Sequence, residues 1–117
     1  MDITGWRRKI DEIDTAMLHL LNLRTELAVE VARMKNLEGL ALRAPARERA
    51  IVARMKRLNP GPLEARSVGK IYELILAESI HSQERYYAAA AAAARRGSRA
   101  PVGARAMKKN QGGKKRP

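Results

Sequence analysis

The stretch from Trp6 to Glu38, WRRKIDEIDTAMLHLLNLRTELAVEVARMKNLE, holds neither proline nor glycine and is filled with good helix formers. Apolar residues recur along it at Ile10, Ile13, Met17, Leu20, Leu27, Val31 and Met34, the spacing of a heptad-like seam. This predicts one helix about 50 Å long, far more than a compact domain of this size needs. A seam of that length has few partners elsewhere in the chain. It implies self-association, most simply a two-fold dimer.

Two cations interrupt the seam. Arg24 stands between Leu20 and Leu27, and Lys35 follows eleven residues later. At about 100° per residue Lys35 returns to within about 20° of Arg24, about 16 Å along the axis, so two long side chains can converge. Arg7 lies seventeen residues before Arg24 on the flank of the same seam. At that separation, about 25 Å, both reach one small molecule only if Arg7 comes from a partner subunit. Two readings of Arg24 stand at this point. It is a register device or a structural ion pair with Glu26 or Glu30, or it meets an anion that offsets its desolvation.

Asp2 or Thr4 can cap the first helix, with Asp11, Glu12 and Asp14 placed near its start to suit the helix dipole. Gly39 ends it. Pro45 fits the first turn of a second helix, 45–58, whose apolar face is Ile51, Met55 and Leu58, with Arg47 a turn before Ile51 and Glu48 beside it. Asn59-Pro60-Gly61-Pro62 breaks the chain, and a third helix is expected from Leu63 to Tyr87. Its stripe of Val68, Ile71, Tyr72, Ile75, Ser79, Gln83 and Tyr86 starts apolar and turns polar without changing face. Ser79 and Gln83 on a core face need partners, which are each other, backbone groups or a ligand.

The fold class expected is therefore all-α, with three helices per chain, a helical domain over 1–87 and a tail over 88–117. The alanine run can prolong the third helix. Beyond about Gly97 the sequence is Gly/Pro/Lys/Arg-rich and expected to be disordered. The net charge of +12 belongs largely to that tail, since residues 88–117 hold nine Lys/Arg and no acid. The rest carries fifteen bases and twelve acids, close to balance. Cysteine is absent and only His19 and His81 are present, which excludes thiolate chemistry and leaves no metal set. No apolar run approaches the roughly 20 residues of a membrane span, and no secretory pattern opens the chain. A cytoplasmic protein is expected.

Taken together, WRRKIDEID, LNLRTELAVEVARMK, RERAIV and ESIHSQ, in this order over residues 6 to about 86, resemble the all-helical (type II) chorismate mutases. The resemblance implies an intertwined dimer that converts chorismate to prephenate on the way to phenylalanine and tyrosine, with no cofactor. It implies that Arg24 clamps one substrate carboxylate and that Arg7 reaches the other from the partner subunit. Lys35 and Gln83 would donate to the ether oxygen, Glu48 would hold the ring hydroxyl, Ser79 would assist a carboxylate and Arg47 would add positive potential. Many members of the family carry an aspartate three residues before the Arg-Glu pair. Here that position is Ala44.

Three rival readings remain. An isochorismate pyruvate-lyase-like enzyme shares the fold, but such relatives tend to lack the pair seen at Arg47 and Glu48. A helical binding module would use the basic tail on nucleic acid. With no aromatic residue after Tyr87, that contact would be to phosphates and without sequence specificity. A plain coiled-coil scaffold explains the seam but leaves Arg24, Lys35 and Gln83 without a purpose.

Overall fold

The computed structural model describes residues 1–97, so the expected disorder of the basic tail beyond Gly97 lies outside the described residues. Three helices follow one another: α1 Ile3–Glu38, α2 Pro45–Leu58 and α3 Ala65–Gly97. Among the described residues there is no strand.

Helix α1 starts three residues before Trp6. The Asp2 side chain accepts from the Gly5 N–H at 2.8 Å and caps it. The early start corrects one expectation: the first turn holds no acid, so Asp11, Glu12 and Asp14 lie too far along to meet the dipole there. At the other end Gly39 adopts φ 70°, a left-handed conformation that suits a residue without Cβ. Its N–H reaches the Asn36 carbonyl at 3.3 Å, and the Leu40 N–H reaches the Lys35 carbonyl at 2.8 Å. These two bonds make a Schellman ending.

Helix α2 has the expected bounds. Pro45 occupies its first turn, and Ala44, at the cap position, gives no side-chain bond. Asn59 organises the following break by accepting from the Gly61 N–H at 3.1 Å and donating to the Leu63 carbonyl at 2.7 Å. Helix α3 starts at Ala65 and runs ten residues beyond Tyr87, because the alanine run offers no breaker before Gly97.

Helix α3 packs against both α1 and α2. Among the described residues the buried apolar side chains are few: Ala32, Val68 and Leu76. Ser79 and Gln83 are also buried, whereas Ile71 is 45% exposed, so the inward line of α3 runs through Leu76 and not Ile71. Much of the α1 seam faces outward, with Ile13 58% and Leu20 60% exposed. The molecule measures 62 × 34 × 18 Å with a radius of gyration of 18.9 Å. A compact chain of about 100 residues would have about 13 Å. One chain does not close a core.

Candidate active site

A cavity of about 530 Å³ opens where the middle of α1, the start of α2 and the middle of α3 meet. Six residues singled out from the sequence line it: Arg24 and Lys35 from α1, Arg47 and Glu48 from α2, and Ser79 and Gln83 from α3. Leu27, Val31, Ile51, Leu76 and Ile80 supply apolar wall. Three cations against one carboxylate leave the lining with a formal charge of +2.

Hydrogen bonds hold several of these side chains in place. Arg24 donates to Ser79 Oγ at 2.6 Å across the α1–α3 interface. Gln83 Nε2 donates to the Ala28 carbonyl at 2.8 Å, leaving its second amide hydrogen and its carbonyl for other partners. Lys35 Nζ donates to the Leu42 carbonyl at 2.9 Å, and the Lys35 backbone carbonyl takes part in the Schellman ending of α1. The turn that stops the helix thus also sets the lysine at the cavity. Glu48 is bound by Arg43, whose Nε and one terminal nitrogen donate to its two carboxylate oxygens at 3.0 and 2.9 Å. Those bonds hold the Glu48 carboxyl below the usual carboxylate range against the opposing effect of burial, aided by the Arg43 charge, a backbone bond at Ala44 and Lys35. Among the described residues, every buried side-chain nitrogen or oxygen has a partner.

Besides the ion pair or anion expected from the sequence, Arg24 has a neutral partner in Ser79. Glu30 accepts from Arg33 at 3.0 Å, one turn on. Ser79 and Gln83 divide their needs between a side chain and the backbone and do not bond each other. Arg7 stands apart. It is exposed on the first turns of α1 and does not line the cavity. Sequence reasoning missed Arg43, a connection residue that belongs to no helical period; its place five residues before the only acid of the constellation was the available signal. It also missed Leu76, which sits one residue round the helix from Ile75.

With these positions fixed, the set can receive a small dianion that also carries a neutral oxygen and a hydroxyl. Guanidinium forks match carboxylates, an ammonium and an amide can donate to one oxygen, and a carboxylate can accept from a hydroxyl. Among the described residues no cluster of His, Cys, Asp or Glu could hold a metal. Among them, too, no helix is long and apolar enough to cross a membrane.

Comparison with known proteins gives the same direction. The family model described as chorismate mutase type II matches residues 6–84. A chorismate mutase of Methanocaldococcus jannaschii is 35% identical over 81 residues, which cover 68% of this chain and 82% of that protein. A bifunctional chorismate mutase/prephenate dehydratase of Neisseria gonorrhoeae is 36% identical over 74 residues, 63% of this chain but only 20% of that longer protein. The solved structure of chorismate mutase (form II) from Thermus thermophilus superposes with a TM-score of 0.70 at 30% identity, covering 71% of this chain and 94% of the other. All four quoted blocks begin within the matched segment, and the six cavity residues fall inside it. The chain belongs to the type II chorismate mutase family.

Proposed function

We propose that this protein is a chorismate mutase, converting chorismate to prephenate by an intramolecular Claisen rearrangement. The observation that carries the reading is the convergence of Arg24, Lys35, Arg47, Glu48, Ser79 and Gln83 on one cavity. In this reaction an ether C–O bond breaks as a C–C bond forms within one molecule, so no proton or electron leaves the substrate. The protein's work is to hold the folded conformer and to stabilise negative charge growing on the ether oxygen.

Each side chain has a part in that work. Arg24, braced by Ser79, clamps one carboxylate, and Ser79 assists. Lys35 and Gln83 donate to the ether oxygen. Glu48 accepts from the ring hydroxyl, and Arg47 contributes positive potential. The second carboxylate is met by the partner subunit's Arg7 in an intertwined homodimer. Its exposed seam favours this assembly: burying the exposed half of a Leu, Ile or Met side chain gives about 1 kcal/mol. Over the seven seam residues that amounts to several kcal/mol, the order of a whole domain's stability. The protein acts in the cytoplasm without a cofactor.

The test is to follow chorismate loss with purified protein, using Arg24→Ala as control and isochorismate as second substrate. Chorismate should turn over and the control should lose most activity. Loss no faster than the uncatalysed rate refutes the reading. Pyruvate release from isochorismate in its place would assign the lyase chemistry, against which the Arg47–Glu48 pair in the cavity wall argues.

A further inference from the structure

Glu48 stands between two concavities. It lines the cavity described above and a second groove of about 620 Å³ between α2 and α3. Arg43 lines only the second groove and reaches Glu48 from that side. Two roughly equal bonds, one to each carboxylate oxygen, fix the plane of the carboxylate as well as its place. A single bond would leave the group free to turn. Each oxygen keeps a further lone pair, so accepting from Arg43 does not use up the group. Among the described residues Glu48 is the only acid lining the cavity, and Ala44 forms part of the same wall. Whatever sets its orientation therefore sets the only anionic acceptor the cavity has.

We propose that Arg43 is a positioning residue for catalysis: from outside the cavity it holds the Glu48 carboxylate turned to accept the substrate hydroxyl. This rests on the chorismate mutase reading. The charged groups around Glu48 are Arg24 and Lys35 from α1, Arg47, Arg49 and Lys56 from α2, and Glu73 from α3. Glu84 of α3 acts on Arg43 itself. Most of these neighbours are cations whose charge favours the ionised acid, but the two side-chain bonds that reach its oxygens come from Arg43. The fork supplied by Arg43 adds direction.

The experiment compares wild type with Arg43→Ala, Arg43→Lys, Glu48→Gln and the double variant Arg43→Ala/Glu48→Gln, each checked for helical content by circular dichroism. Arg43→Ala should lower kcat/KM about tenfold, the size of one displaced bond to a charged group. The acid limb of its pH–rate profile should move upward. Arg43→Lys should restore the limb but only part of the rate. In the Glu48→Gln background Arg43→Ala should change little more, since the group it positions is gone. A carbon-13 titration of the Glu48 carboxyl, which needs no turnover, should show its transition moving upward in Arg43→Ala. Fully additive losses, an unmoved titration, or wild-type kinetics in Arg43→Ala overturn the positioning role alone. A wild-type protein inert toward chorismate overturns the mutase reading and this role with it.

Discussion

At the scale of single residues, the cavity divides its side chains by what can titrate. Gln83 is an amide and donates at any physiological pH, where an acid would first have to be protonated. The pH–rate profile of kcat/KM is therefore expected to be flat between about pH 6 and 9. Gln83→Glu should introduce a steep loss as pH rises, measurable in the same assay, because an ionised glutamate no longer donates to the ether oxygen. Glu48 has the opposite need. The Arg43 bonds hold its carboxyl below the usual range and so keep it ionised and an acceptor, and the sign of the linkage follows. A carboxyl held below its unfolded value stabilises the fold fully above that ordinary value, and loses the contribution as pH falls through the lower, folded one. Urea midpoints of wild type and Arg43→Ala should therefore differ at pH 7 and converge in acid. The difference should be small, since 56% of the Arg43 side chain is exposed and solvent screens the pair.

At the scale of elements, the clarity of each boundary tracked its punctuation. Pro45 and Asn59-Pro60 gave α2 its observed limits, whereas the alanine run after Tyr87 holds no breaker, and α3 continued to Gly97. The cavity-lining residues of α1 and α3 were legible because a charge or amide on an inward face breaks a period. Arg43 breaks none, so its bond to Glu48 became visible only once the connection folded back beside that residue. Ala44 carries a second lesson. An aspartate in its place would stand at the cap of α2, where Ala44 leaves that end without a side-chain bond while also lining the cavity. Ala44→Asp should thus do two things. It should stabilise the protein by about 1 kcal/mol through the new cap, read from thermal or urea unfolding. It should also lower KM by offering the hydroxyl a second acceptor, read from steady-state kinetics; an unchanged or higher KM would count against that contact.

At the scale of the whole molecule, the six cavity residues belong to one chain and Arg7 does not line their cavity. Under the proposed dimer each cavity uses Arg24 of its own chain and Arg7 of the other. Arg7→Ala and Arg24→Ala should each be nearly inactive alone. Unfolded together in equal amounts and refolded, half the dimers would be mixed, each with one intact cavity of two, so roughly a quarter of wild-type activity should return. Recovery of none would place both arginines in a single-chain site, and full activity of either variant alone would remove that arginine from the reaction. The 36-residue length of α1 then acquires a meaning beyond packing. It is a ruler laid between two workplaces, graduated so that the end of one rod arrives at the middle of its neighbour. Seven extra residues inserted between Arg7 and Arg24 would preserve the period of the greasy stripe, yet carry the far guanidinium about 10 Å past its mark. Such a protein should still pair in sedimentation and stay helical, but leave chorismate almost untouched.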